Sequence, residues 1–304
     1  MTFSTIPARY LALLGWLGLA TIALAPSEVR AVDINAGDYT PAPAGTTAAL
    51  LYTTYTQRDS YVLRDGTELD RETGLDSLVG ILRFVHYMDV GGITVAPQVL
   101  LPFGKLYNGS ISGASLSSAH GFGDPIFAAP AWVVNRPDSG THVVVVPYLF
   151  VPLGAYDAGE ALNLGENRVK FDLQFGVSQR LGSGFTVEGA YDIMWYGDND
   201  DAIGRGHGKL EQDNTKQAQL WLSYAPKPDS PWSFAVGYSS IWGGDQRLDG
   251  LDTGSATRAD QVRLQASRFL APDFQVQATL QRDIKVEGGF KEEARATLRL
   301  MKLF

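Results

Sequence analysis

The sequence predicts an all-β chain folded as a transmembrane, up-and-down antiparallel β-barrel of about twelve strands. Three observations predict it. Apolar and polar residues alternate with a period of two over long segments. Short turns and long polar loops alternate as connections between those segments. The last segment keeps the alternation and ends on Phe304.

The chain opens with a segment expected to lie outside the fold. Arg9 supplies a positive start, residues 11–24 are apolar, and Val29-Arg30-Ala31 places small residues at the −3 and −1 positions of a cleavage site. Residues 1–31 are therefore expected to be a signal peptide, with Val32 opening the mature chain. The apolar run falls short of the about 18 residues a spanning helix needs, and no other stretch approaches that length. Residues 32–45, rich in Pro, Ala and Gly, read as an extended segment ahead of the barrel and a candidate lumen plug.

The barrel itself is expected over residues 46–304. Its strands are expected near 46–57, 75–89, 92–102, 122–135, 141–152, 166–181, 184–197, 214–225, 232–242, 257–270, 273–286 and 292–304. Each is near or above the about 9–11 residues that a tilted strand needs to cross a bilayer. Alternation is clearest where Val169, Phe171, Leu173, Phe175 and Val177 oppose Lys170, Asp172, Gln174, Gly176 and Ser178. A period of two sends these sets to opposite faces. Phe274, Val276, Ala278 and Leu280 oppose Gln275, Gln277, Thr279 and Gln281 in the same way.

Short turns at Val90-Gly91, 136–140, Gly182-Ser183, 226–231 and Ala271-Pro272 alternate with long loops near 58–74, 103–121, 153–165, 198–213 and 243–256. That rhythm suits an outer-membrane barrel with both termini at the short-turn end. Trp195, Tyr224, Trp232 and Trp242 fall near strand ends, where interfacial aromatic girdles lie. In the final strand Ala294, Ala296, Leu298, Leu300 and Phe304 share one parity, like the C-terminal signal read during assembly of outer-membrane proteins. Lys302 breaks that parity as a residue snorkelling at the interface.

Composition narrows the function classes. With 25 basic and 33 acidic residues the formal net charge is −8, which argues against a nucleic-acid partner. There are no cysteines, so closure of the barrel rather than disulfides must hold an exported chain together.

Four stretches carry a likeness: Asp38-Tyr39-Thr40-Pro41-Ala42-Pro43-Ala44-Gly45-Thr46, Gly121-Phe122-Gly123-Asp124-Pro125, Val151-Pro152-Leu153-Gly154-Ala155-Tyr156 and Leu164-Gly165-Glu166-Asn167-Arg168. They resemble the outer-membrane proteins of the MetA-pathway of phenol degradation family. The resemblance spans most of the mature chain. It implies a barrel, often described as a transporter, associated with catabolism of aromatic compounds, and it assigns no functional residues.

Candidate functional residues are the polar side chains whose parity sends them inward, because a charge facing lipid at mid-depth costs roughly 2–4 kcal/mol for Arg or Lys. They are Arg168, Lys170, Asp172, Gln174, Arg180, Glu188 and Asp192 on the sixth and seventh strands. On the last three strands they are Arg263, Gln275, Gln277, Asp283, Lys285, Glu293, Arg295 and Arg299. These could line a pore and orient a solute, or form a structural network of ion pairs. Strands three to five differ, because Ile126, Ala128, Pro130 and Trp132 are apolar and so are Phe127, Ala129, Ala131 and Val133 of the other parity, and the run 143–151 is likewise apolar on both. Their inner face is expected to meet either a hydrophobic solute or the plug segment.

Signals for catalysis are weak. His86, His120, His142 and His207 form no H-E-x-x-H pattern, and no serine sits in a G-x-S-x-G elbow. His120 and His207 are expected in long loops. Asp198-Asn199-Asp200-Asp201 lacks the Gly and distal Glu of an EF-hand and reads as a solvated acidic loop, open to divalent bridging with lipopolysaccharide. Gly204-Arg205-Gly206-His207-Gly208 reads as a flexible loop. No catalytic residue, metal or cofactor is expected.

The leading functional expectation is a passive channel in the bacterial outer membrane for small apolar or aromatic compounds. Its partners would be outer-membrane lipid and lipopolysaccharide, the barrel assembly machinery and the solute. The alternatives are an outer-membrane barrel enzyme acting on lipid, and a closed structural or adhesive barrel.

Overall fold

The computed structural model describes residues 32–202, 208–227, 230–256 and 258–304. The expected signal peptide and residues 204–207 of the glycine-rich loop, His207 included, lie outside the described residues. Among the described residues there is no helix, and twelve antiparallel strands close into one transmembrane barrel.

The strands are β1 (Thr47–Val62), β2 (Gly74–His86), β3 (Gln98–Ile111), β4 in three pieces (Ala119–Phe122, Ile126–Ala128 and Ala131–Arg136), β5 (Thr141–Phe150), β6 (Lys170–Gly182), β7 (Phe185–Tyr196), β8 (Thr215–Tyr224), β9 (Trp232–Gly243), β10 (Arg258–Ala271), β11 (Phe274–Glu287) and β12 (Gly289–Leu303). Each pairs with its sequence neighbour, and β1 also pairs with β12 from Ala48↔Leu303 to Val62↔Gly289. Phe304 lies one residue beyond β12, not in the strand as expected. It nevertheless exchanges both backbone hydrogen bonds with Thr47, at 3.1 and 2.8 Å. The seam therefore leaves no open edge.

Strand parity places the apolar set outside. Phe171, Phe175, Val177 and Leu280 are exposed on the outer surface, and Leu173, Phe274 and Val276 share their face. Lys170, Asp172, Gln174 and Gln277 are buried inside, with Gln275 on the same inner face. Aromatic pairs mark both rims. Phe171 meets Trp195 at 5.7 Å and Tyr191 meets Trp242 at 6.3 Å toward the long loops, while Phe185 meets Tyr224 at 4.8 Å toward the short turns.

Three expectations about element limits need correction. β1 and β3 continue into the stretches 58–74 and 103–121, expected to be loops, and β12 begins earlier than expected. Beyond the bilayer both faces of a strand meet polar surroundings, so the alternation that marks a lipid-facing strand fades while backbone pairing continues. The fourth strand is interrupted at Pro125 and Pro130, which lack the N–H a ladder needs. His120 falls in the first piece of β4 rather than in a loop.

Candidate functional site: the barrel lumen

The inner surface has two unlike walls. Strands β6 to β12 contribute amides and charges, whereas β2 to β5 contribute Val79, Ile81, Val85, Leu100, Pro102, Ile126, Val144 and Val146. Residues 32–39 lie inside the barrel, and 40–45 lead to them from its rim. The segment enters at the short-turn end, where the Gly45 N–H donates to the Tyr87 carbonyl at 2.7 Å, and runs inward to Val32.

Most of the segment's polar bonds go to the polar wall. The Ile34 N–H donates to Gln219 at 3.0 Å, Ala36 N–H to Gln265 at 3.1 Å and Gly37 N–H to Glu188 at 2.5 Å. Gln265 returns a bond to the Ala36 carbonyl at 3.0 Å, and the Trp221 indole donates to the Ile34 carbonyl at 3.1 Å. An extended segment has no backbone partners of its own, so side chains of the wall satisfy it. Asp33 takes Arg263 at 2.5 Å and Arg295 at 3.4 Å, and Asp38 takes Arg299 at 2.8 Å. The segment's apolar side chains, Ile34, Ala36 and Tyr39, join Val85, Ile126, Trp132, Val144 and Val146 of the apolar wall in one buried cluster. The segment's hydrogen bond to that side is through Tyr39, whose carbonyl accepts the Trp132 indole N–H at 2.9 Å.

The other inward residues divide into two groups. Near the long loops, Glu166 binds both Arg168, at 2.6 Å, and Lys170, and Arg168 also donates to Gln212. Where β10 to β12 meet β1, Arg58 of β1 and Arg295 share Glu292, and Asp283 accepts from Gln261 at 2.7 Å and from the Glu292 N–H at 2.8 Å. Gln275 and Gln277 support Arg299 and Asn35 respectively. Asp172 and Asp192 are fully buried on adjacent strands.

Three expected lumen residues are not there. Lys285 is exposed and bound to Glu287, because a bulge between Asp260↔Lys285 and Gln261↔Asp283 adds one residue and reverses the parity beyond it. A second bulge opposite Arg58 puts Glu292 inside and leaves Glu293 outside with Arg282 and Lys291. Arg180 is exposed at a short turn, donating to the carbonyls of Pro137 and Asp138.

Between the N-terminal segment and the apolar wall lies a cavity of about 230 Å³. An engineered apolar cavity of about 150 Å³ admits benzene, so this one has the scale of a single aromatic ring. Tyr52, Tyr87, Trp132 and Tyr148 add aromatic faces. One charged residue on the apolar side, Arg83, was missed in the sequence. Its Nε donates to Gln98 at 2.7 Å and one terminal nitrogen to Tyr52 at 3.1 Å, and it forms no ion pair among the described residues. The signal for it was present: in β2 Leu78, Leu82 and Phe84 claim the outer parity, leaving Arg83 alone among Val79, Ile81 and Val85.

The remaining motifs make local contacts. His142 is buried and bonds Asn135 at 2.9 Å, and His86, on the outer face, bonds Thr47 at 2.9 Å. In the acidic run Asp198 pairs with Lys209 at 2.7 Å, and Asn199 bonds Tyr156 at 2.9 Å.

The chain is 35% identical to the COG4313 outer membrane channel from Pseudomonas putida F1, over 90% of this chain and all of that one, with a TM-score of 0.84. The translocator domain of the autotransporter NalP from Neisseria meningitidis shares the barrel alone, at 10% identity and a TM-score of 0.50 over 88% of this chain and 90% of that one. The β domain of the Bordetella autotransporter BrkA does likewise, at 10% identity and a TM-score of 0.50 over 86% and 100%. Among curated protein sequences none matches significantly. The model of the family described as putative MetA-pathway of phenol degradation matches residues 53–300. With that span and the likeness to a solved channel, this twelve-stranded outer-membrane barrel belongs to the putative MetA-pathway of phenol degradation family.

Proposed function

We propose that the protein is a passive channel in the bacterial outer membrane for small aromatic compounds, its preferred solutes carrying a ring and one polar or anionic end. The observation that carries this reading is the ring-sized cavity bounded by aliphatic side chains on one side, with the Arg83 guanidinium opening into it. The aliphatic wall lowers the cost of desolvating a ring, and a guanidinium without a carboxylate partner can take a carboxylate or phenolate by paired N–H donors. Arg168, Lys170 and Arg263, the anchors expected from parity, are engaged by Glu166 and Asp33 and are poorly placed for that role. The family's printed description and the channel among its solved relatives support the same reading.

The test is uptake by proteoliposomes of benzoate and of neutral benzyl alcohol. Wild-type protein is expected to pass both faster than empty vesicles. Arg83→Gln is expected to slow benzoate about tenfold, the equivalent of roughly 1.4 kcal/mol, with little change for the alcohol. Deleting residues 32–44 is expected to speed both. If neither solute outpaces empty vesicles, with or without that segment, the channel reading fails and a closed structural barrel replaces it.

A further inference from the structure

We propose that the amino terminus of the mature chain is itself a structural cation: the α-ammonium of Val32 is the counter-ion of the buried carboxylate pair Asp172 and Asp192. The pair sits on one inner face, since the register Asp172↔Met194 and Gln174↔Asp192 makes the two aspartates diagonal neighbours across β6 and β7. Both are 0% exposed. Apart from the Val32 and Leu173 backbone N–H groups that face it, nothing among the described residues donates to Asp172; Oδ2 of Asp192 has no hydrogen bond of good geometry, and Gln174 reaches Asp192 Oδ1 only at 3.5 Å. Two buried carboxylates need neutralising, by a proton or by a cation, and the cations nearby are engaged elsewhere, Lys170 with Glu166 and Arg263 with Asp33.

Val32 is held at this spot. Its carbonyl accepts from Gln174 at 3.1 Å and from Gln219 at 3.0 Å, and its backbone nitrogen faces the Asp172 carboxylate. Independently, the small residues at Val29 and Ala31 place the expected cleavage immediately before that nitrogen. Hydrolysis of the Ala31–Val32 peptide bond by a signal peptidase, with water as co-reactant, gives Ala31 a carboxylate and Val32 an amine that takes up a proton. An amide offers one donor and no charge. The ammonium offers three donors and a positive charge to these carboxylate oxygens. Processing would thus complete the lumen network and pin the free end of the segment opposite its covalent anchor at Gly45.

The test uses protein purified from outer membranes. Intact mass is expected to show Val32 as the first residue. An amine-reactive ester at mildly alkaline pH should leave the Val32 amine unmodified in the folded barrel and modify it after heat unfolding. In the Asp172→Asn/Asp192→Asn variant, or in Asp172→Asn alone if the double variant does not assemble, the folded protein should be modified at least tenfold faster than wild type. The proposal is overturned by a mature chain that begins elsewhere. It is overturned equally by a Val32 amine that reacts as fast folded as unfolded, or by variants that react at the wild-type rate.

Discussion

Gly176 has no side chain because the ring of Tyr39 occupies the place one would take: a Cβ there would lie 2.3 Å from the Tyr39 ring. That ring is held by its hydroxyl donating to Gln174 at 2.9 Å. Gly176→Val is expected to expel the ring and weaken docking of the N-terminal segment by about 1–3 kcal/mol. Limited proteolysis of the folded barrel should then cut within residues 32–45, where wild type resists. Lys170 is as tightly placed, buried on the inner face and paired with Glu166. Lys170→Glu would set two buried carboxylates against each other, at an expected cost of about 3–5 kcal/mol. Uptake of every solute should fall, and the folded band on an unboiled denaturing gel should be lost at lower temperature. Loss of aromatic-acid uptake alone would instead make Lys170 a solute anchor.

At the scale of elements, the stretch between β5 and β6 is fastened to the lumen by Glu166. Burial acts to raise this carboxyl, and the charges of Lys170 and Arg168 overcome it and hold it down at about 2, against an ordinary 4.5. Because the folded value is depressed, its contribution is complete above pH 4.5 and fades as pH falls toward 2. Glu166→Gln is therefore expected to lower the unfolding temperature at pH 6, and that difference should shrink steadily between pH 4.5 and 2. A gap independent of pH would show that the charge of Glu166 is not what fastens the loop. Where parity was legible in the sequence, as along β6, lipid outside and polar groups inside gave sharp contrast at each position. It failed at the bulge near Ile284, which reverses Lys285, and near Glu293, because one extra residue in a ladder leaves no compositional trace. Arg83 is legible from parity, although it lies in the second strand, outside those whose inward charges stand out in the sequence. The path of residues 32–45 was not legible, because it depends on amides from four strands that meet only in the closed barrel.

For the molecule as a whole, stability in the membrane rests on the outer band of side chains such as Phe175, Val177 and Leu264, the last 59% exposed. Phe175→Arg is expected to cost roughly 2–4 kcal/mol if the residue sits near the bilayer midplane, measured by reversible unfolding in phospholipid vesicles. A cost below about 1 kcal/mol would place it at the interface. The seam between β1 and β12 bears on how such a barrel can come to exist at all. Thr47 and Phe304 bond directly to each other, so the contact that completes the cylinder joins the two ends of the folded sequence. Contacts of such long range form slowly, because the entropy of bringing distant segments together is lost before any bond repays it. Until they form, the first and last strands each expose a row of unsatisfied backbone groups. The time spent in that open state, rather than the strength of the finished wall, then sets how readily the chain aggregates before it is sealed.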